Sequence, residues 1–153
     1  MTTATGDRVG TPHAAVVTPA VRPVMLLTLN VPFAEPAVEA AIGAAADTGA
    51  RLLVCDAMRL AVTYQAHIAL QWAEQDNRRA AREVCAHARA RGVETELVAF
   101  HNRHPIQAAL DVCRDHEIGL LVFGADRERL GRLTYRLAVR RLRRDAGCLL
   151  WIE

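Results

Sequence analysis

The chain contains no lysine and no serine among its 153 residues, so all 19 of its basic residues are arginines. The absence of serine excludes every mechanism that needs a serine nucleophile. The absence of lysine fits a biased coding composition, as does the abundance of alanine, and its meaning stays open. Arginine is always charged and binds carboxylate or phosphate through parallel hydrogen bonds. Eight arginines lie between positions 127 and 144, so this segment is a candidate surface for anions or an acidic partner.

The sequence also lacks paired cysteines. Cys55, Cys85, Cys113 and Cys148 have no C-x-x-C spacing and are spread over apolar segments. This distribution indicates small buried side chains in a reducing compartment and argues against a structural zinc site.

No segment near the start resembles a signal peptide. Asp7, Arg8, His13 and several prolines interrupt residues 1–22, so we expect neither a signal peptide nor a membrane span, and we expect a cytoplasmic protein. The length and the 52% hydrophobic content predict one domain at 23–153, preceded by a flexible tail at 1–22.

Apolar runs alternate with amphipathic segments along that domain. Continuous apolar runs are typical of strands that are buried on both faces of a parallel sheet. The predicted strands are 24–29, 51–56, 93–100, 118–124 and 148–153. The predicted helices are one that ends at Gly49, one at 67–91, one that starts at Pro105, and one at 130–145. Five strands separated by four helices predict an α/β fold with a single, doubly wound, Rossmann-like parallel sheet.

The stretch 118–138 is central to the function, because it predicts a strand, a turn at Gly124 and a helix. Such a junction lies at the carboxyl end of a strand, where anionic ligands bind to a helix N-terminus. In the helix, Leu130, Leu133 and Leu137 recur at helical spacing and are expected on one side, with arginines on the other.

At this junction the chain resembles the universal stress protein family. The resemblance covers 24–153 and depends on element order, on the segment HPIQAALDVCRDHEIGLLVFGA at 104–125, and on the last strand, CLLWIE. The family consists of small α/β domains that usually dimerise and that include ATP-binding and non-ATP-binding members. The resemblance therefore implies a homodimer that pairs through the C-terminal strand, with Leu149 and Trp151 at the interface.

The family's nucleotide signature is G-x-x-G, nine residues, then G-[ST], in which glycines let backbone amides approach phosphates. Here Gly124 matches the first position, whereas Arg127, Leu137 and Ala138 occupy the other three. The family also has an acidic residue just after the first strand, and Asn30 stands there in this chain. These departures predict that the usual ATP site is altered.

Three hypotheses follow. We expect no enzyme, although the second hypothesis leaves slow hydrolysis of the nucleotide open. The first is a regulatory or stress-response binding module that is not a typical ATP binder. The second is an adenine-nucleotide binder, for ATP or AMP. Its residues, all implied by the resemblance, would be Asn30, Val31, Val54, Gly124, Arg127 and Val139. The third is a docking surface for a protein or an anion, without specific nucleic-acid binding. It would use Arg129, Arg132, Arg136 and Arg140.

Two further clusters have a functional and a structural interpretation. His101 and His104 have H-x-x-H spacing, but no third ligand is close in sequence, so we expect loop residues and no metal. Tyr64, His67 and Trp72 could cover a ligand pocket, although core or dimer contacts are favoured.

Overall fold

A computed structural model of the chain shows five parallel strands in the order β3-β2-β1-β4-β5. It describes residues 20–60 and 63–153, and only the backbone of residues 64–67 and 70. The strands are β1 (Val24–Leu29), β2 (Leu52–Arg59), β3 (Thr95–Asn102), β4 (Leu120–Phe123) and β5 (Leu149–Ile152). The helices are α1 (Glu35–Thr48), α2 (Tyr64–Ala90), α3 (Pro105–Asp115), α4 (Arg127–Leu130) and α5 (Arg132–Asp145). The predicted α/β fold with five parallel strands is confirmed. Most of the expected N-terminal tail, 1–19, lies outside the described residues.

The sheet has a hydrophobic core on each face, as the continuous apolar strands predict. Met25, Leu27 and Phe123 pack against α3 and α5 on one face. Leu26 and Val54 pack against α1 and α2 on the other. Because every strand of a parallel sheet needs a crossover connection, both faces are covered by helices.

The first helix ends where the sequence predicts. Gly49 adopts φ 69°, and its N–H group donates to the carbonyl of Ala46. Glycine reaches this left-handed conformation without a Cβ penalty, so it stops α1 and turns the chain toward β2.

The structure corrects the prediction for two strand ends and for the last helix. β2 continues through Ala57 to Arg59, and β3 continues to Asn102, so His101 and Asn102 belong to a strand and not to a loop. The single helix expected at 130–145 is two helices that meet at Gly131, whose φ of 91° interrupts the helical backbone.

The expected leucine stripe is also wrong in part. Leu133 and Leu137 are 70% and 56% exposed, whereas Tyr135, Ala138, Val139 and Leu142 form the buried side of α5. The break at Gly131 shifts the phase of the helix, so spacing counted from Leu130 does not identify the buried face.

Candidate functional site

The sheet order creates a crevice beside β1. From β1 the chain moves outward through β2 and β3, and it then returns to the other side of β1 through β4 and β5. Ligands of doubly wound folds bind at such a switch point, outside the carboxyl ends of the strands. Here a crevice of about 620 Å³ opens between α3 and α5 at the carboxyl end of β1. Its polar lining residues are Asn30, Arg59, His104, Gln107, Arg129, Thr134 and Arg141. Its apolar lining residues are Leu29, Val31, Pro105, Ile106, Leu130, Leu137 and Ala138.

Asn30 connects the ends of two strands at the base of the crevice. Its Oδ1 accepts a hydrogen bond of 2.7 Å from the backbone N–H of Arg59, and its own N–H donates to the carbonyl of Ala57. Asn30 has φ 59°, a conformation that asparagine tolerates better than most residues. Since Oδ1 is engaged, the Asn30 side chain offers a ligand the two N–H donors of its amide.

Arg141 connects α5 to α3 on the opposite wall. One of its terminal nitrogens donates a hydrogen bond of 2.6 Å to Oε1 of Gln107, and its Nε lies 3.6 Å from Oδ2 of Asp145. Gln107 in turn donates through Nε2 to Oδ1 of Asp111, at 3.1 Å. This chain of contacts fixes the orientation of the Arg141 guanidinium group.

The N-terminus of α3 also borders the crevice. Pro105 begins the helix, and Oδ1 of Asn102 accepts a hydrogen bond of 2.8 Å from the backbone N–H of His104. Asn102 therefore supports the start of α3. The N–H groups of Ile106 and Gln107 belong to the first helical turn, in which no carbonyl one turn earlier accepts from them.

A second polar cluster lies on the other face of the sheet, below α2. Asp56 is 1% exposed, and neither of its carboxylate oxygens accepts a hydrogen bond among the described residues. Its nearest cation is Arg78, whose Nε lies 3.7 Å from Oδ2. Burial raises the pKa of the Asp56 carboxyl group, while the adjacent Arg78 lowers it by a smaller amount.

The two histidines of the H-x-x-H pattern point to different faces. Nε2 of His101 lies 3.5 Å from Oε2 of Glu74 on α2, whereas His104 lines the crevice beside α3. Within 20–60 and 63–153 no group of three His, Cys, Asp or Glu side chains is close enough to hold a metal ion. In the same residues, no helix has both the length and the apolarity that crossing a membrane requires.

Comparison with solved structures reveals the same architecture in several universal stress proteins. One from Burkholderia pseudomallei has a TM-score of 0.63 and 20% identity, over 85% of this chain and 94% of its own. A universal stress protein in complex with cAMP has a TM-score of 0.62 and 18% identity, over 88% of this chain and 98% of its own. The Archaeoglobus fulgidus protein in complex with dAMP has a TM-score of 0.58 and 14% identity, over 85% and 95%.

This chain has the universal stress protein fold. The expected resemblance is thereby confirmed at the level of the fold. No protein-family model and no curated protein sequence matches the chain.

Within the universal stress protein fold, Gly124 has a packing role in this chain. A Cβ atom built on Gly124 would lie 2.7 Å from Cδ1 of Leu26 and 3.1 Å from the Cβ of Ala37. The glycine therefore allows α1 to approach the sheet closely. Gly124 does not line the crevice, contrary to its predicted place in the site.

Three other residues predicted for the nucleotide site also lie elsewhere. Val54 is fully buried beneath α1 and α2, and Val139 is buried on the inner side of α5. The guanidinium carbon of Arg127 lies 5.8 Å from the centre of the Tyr135 ring, in a separate cavity. Of the six predicted residues, only Asn30 and Val31 line the crevice, because all six were carried over from the resemblance, which does not show where each side chain packs in this chain.

Most of the charged side chains that line the cavity beside Arg127 are acidic. The cavity has about 430 Å³, and its charged lining residues are Glu35, Asp126, Arg127, Glu128 and Glu153. Asp126 also caps α4, since its Oδ1 accepts from the backbone N–H groups of Glu128 and Arg129. Four carboxylates and one guanidinium group make this cavity unfavourable for a phosphate.

The last two signature positions fall inside a helix. Leu137 and Ala138 lie in the second turn of α5, after its start at Arg132. Their N–H groups are used in helical hydrogen bonds and cannot bind a phosphate. Their side chains instead form part of the crevice wall.

The structure separates the predicted arginine surface into two parts. Arg129 lines the crevice, whereas Arg132, Arg136, Arg140 and Arg143 are exposed along α5. These four have no ion pair among the described residues. Asp145, near the end of the same helix, lies close to Arg141 and Arg144.

The remaining predicted contacts occupy exposed or edge positions. Trp72 is 70% exposed on α2, and the side chains of Tyr64 and His67 lie outside the described residues. Leu149 is 74% exposed on the edge strand β5, and Trp151 is half-buried against the core.

Sequence reasoning missed Arg59, Gln107 and Arg141 as site residues. Arg59 ends β2, and a strand boundary predicted at 59 instead of 56 would have placed it at the ligand-binding edge. Gln107 and Arg141 belong to different helices, and no local pattern in the sequence indicates that they meet.

Proposed function

We propose that this chain is a regulatory binding module that takes a small adenine nucleotide in the crevice between α3 and α5 and does not convert it chemically. The observation that best supports this is the crevice itself, at the switch point of the sheet, with hydrogen-bond donors on both walls. Two proteins of the same fold bind cAMP and dAMP. A stress-response role, a cytoplasmic location and a homodimer belong to the same proposal.

The lack of turnover is argued from the available nucleophiles. The chain has no serine, and burial raises the pKa of the Cys55, Cys85, Cys113 and Cys148 thiols, which keeps them protonated and weakly nucleophilic. Thr134 and His104 line the crevice, but no hydrogen bond joins their side chains within 20–60 and 63–153, and no described lining residue is an aspartate or glutamate, so no nucleophile is paired with a general base there.

The test compares two exposed leucines one turn apart on α5. Leu137 lines the crevice and Leu133 does not. Isothermal titration with AMP, cAMP and ATP should detect binding of AMP or cAMP to the unmodified protein. Leu137→Glu should weaken it at least about fivefold, since a carboxylate near a phosphate repels it by about 1 kcal/mol or more. Leu133→Glu should leave the affinity unchanged.

Two results would contradict this proposal. One is the absence of binding by all three nucleotides at millimolar concentration. The other is an equal loss for both leucine variants, because that would place the ligand outside the crevice. Release of AMP or phosphate during incubation with ATP would disprove the lack of turnover.

A second candidate function is docking of an acidic protein surface on α5. The observation that favours it is the row formed by Arg132, Arg136, Arg140 and Arg143, exposed and without ion pairs in the described part of the chain. Retention on immobilised polyglutamate should fall with added salt. Retention should also be lower for the triple variant Arg132→Ala/Arg136→Ala/Arg140→Ala than for the unmodified protein. The double variant Arg79→Ala/Arg82→Ala on α2 should be retained like the unmodified protein. Equal elution of both variants would rule out this surface.

A further inference from the structure

The permanently charged side chains that line the crevice all have the same sign. Arg59 comes from the end of β2, Arg129 from α4 and Arg141 from α5. Within the part of the chain that the structure describes, no aspartate or glutamate lines the crevice. Asp145, 3.6 Å from Arg141, partly neutralises that guanidinium group, whereas Arg59 and Arg129 have no ion-pair partner within 20–60 and 63–153. An anion in the crevice therefore meets positive charge that is only partly compensated.

Arg141 is oriented in advance for such an anion. Its bond to Gln107 and its proximity to Asp145 restrict rotation of the guanidinium plane. Its Nε atom is buried and makes no hydrogen bond among the described residues. An oriented donor loses little conformational entropy when a ligand binds, which favours affinity.

Arg59 and Arg129 supply free guanidinium groups on fixed backbones. The backbone N–H of Arg59 is bonded to Asn30, and that of Arg129 to Asp126. Neither guanidinium group has a hydrogen-bond or ion-pair partner within 20–60 and 63–153. Both side chains are exposed, so they can rearrange toward a ligand without breaking an internal contact.

The alternative place for a phosphate, beside Gly124, is unsuitable in this chain. The neighbouring cavity contains Glu35, Glu128 and Glu153, and the space above Gly124 is filled by Leu26 and Ala37. The charges therefore disfavour an anion at the end of β4 and favour one in the crevice beside β1.

We propose that Arg59, Arg129 and Arg141 hold the phosphate of a phosphomonoester in the crevice, without a divalent metal ion. This inference builds on the proposed function, because it assigns the part of the ligand that the crevice recognises. Magnesium is usually shared between a phosphate and one or two protein carboxylates. None of the described residues that line the crevice supplies such a carboxylate, and guanidinium groups neutralise the phosphate instead.

Calorimetry with four probes tests this inference: AMP, adenosine, glycerol 3-phosphate and ATP, each with EDTA and with magnesium. AMP should bind at least about tenfold more tightly than adenosine, as expected from charge-assisted hydrogen bonds. Glycerol 3-phosphate should bind weakly. EDTA should leave the AMP affinity unchanged, and higher salt should lower it.

Arginine variants identify the side chains that bind the phosphate. Arg59→Ala and Arg129→Ala, at exposed positions where folding is not at risk, should each weaken AMP about tenfold and leave adenosine unchanged. Arg141→Lys keeps a charge but not the paired donors and should also weaken AMP. Arg140→Ala and Arg143→Ala remove equally exposed arginines of α5 that do not line the crevice, and should change nothing.

Three unfavourable results would each contradict a different claim. Equal affinity for AMP and adenosine, with no effect of the arginine variants, overturns this inference and leaves the nucleotide proposal standing. Binding of glycerol 3-phosphate as tight as that of AMP supports the arginine site and contradicts a nucleotide-specific function. A requirement for magnesium overturns metal-free recognition.

Discussion

At the scale of the residue, Gly124 determines how closely α1 approaches the sheet. Gly124→Ala would bring a methyl group within 2.7 Å of Cδ1 of Leu26, a distance that requires side chains or backbone to move. We expect the free energy of unfolding to fall by about 1–3 kcal/mol, as is typical of overpacked cores. Urea denaturation monitored by circular dichroism measures the change.

Gly43 offers the matched control. It lies inside α1, and a Cβ atom built there meets no heavy atom within 4 Å. Gly43→Ala should therefore stabilise the protein by about 0.5–1 kcal/mol through higher helix propensity. If both alanine variants shifted stability in the same direction, the packing role of Gly124 would be refuted.

Asp56 should make stability depend on pH. Its folded-state pKa is raised, mainly by burial, above an unfolded value of about 3.9. Between the two values the native state binds more protons than the unfolded state, so the contribution to stability is present at low pH and is lost as pH rises through the folded pKa. Asp56→Asn has no carboxyl group to ionise in the core. Its free energy of unfolding at pH 7 should therefore exceed that of the unmodified protein by about 1 kcal/mol.

The measurement is urea denaturation of both proteins at pH 4, 5, 6 and 7. The advantage of Asp56→Asn should shrink toward pH 4, because burial raises the pKa of the Asp56 carboxyl group and the native state therefore takes up its proton at a higher pH than an ordinary aspartate does. Arg78 keeps Glu74 as a partner at 3.5 Å in the variant. Asp76→Asn, at an exposed position on the same helix, should stay within about 0.5 kcal/mol of the unmodified protein. An advantage that grows on acidification would contradict the prediction.

At the scale of the element, the break between α4 and α5 positions the walls of the crevice. Gly131 has φ 91° and ψ 138°, which a residue with a side chain rarely adopts. Gly131→Ala should destabilise the protein by about 1–3 kcal/mol or force α4 to change its direction. We also expect weaker AMP binding, because Arg129 lies on α4 and Arg141 on α5.

Gly147→Asn is a suitable control for that variant. Gly147 also has a positive φ, of 64°, but asparagine tolerates this left-handed conformation. Gly147 is also distant in sequence from the crevice residues of α4. AMP affinity measured by calorimetry should fall for Gly131→Ala only. Unchanged affinity and stability in Gly131→Ala would show that the break is not needed.

The strands were predictable from sequence because their chemistry is local. A continuous apolar run such as VMLLTL fits a strand that is buried on both faces, and the turn at Gly49 has a local backbone requirement. The leucine spacing predicted the wrong buried face for the last helix. The break at Gly131 changes the helical phase, and that break depends on tertiary packing. The crevice was only partly predictable for the same reason: the Arg141 and Gln107 contact joins residues 34 positions apart.

At the scale of the whole molecule, β5 is an edge of the sheet. Leu149 is 74% exposed there, and an edge strand presents unpaired backbone groups to a possible partner. The proposed homodimer would pair two copies of β5, bury Leu149 and join the two sheets. Two-fold pairing of one surface with its own copy is the commonest form of protein oligomer.

Leu149→Glu tests this pairing, because it would put two like charges into the proposed interface. Light scattering at micromolar concentration should give twice the chain mass for the unmodified protein and the mass of one chain for the variant. Leu133→Glu is the control, since Leu133 is similarly exposed at 70% but lies on α5 instead of the edge strand. If Leu133→Glu alone dissociated the dimer, α5 would be the interface, and the arginine row beside it would then be covered and could not dock an acidic protein.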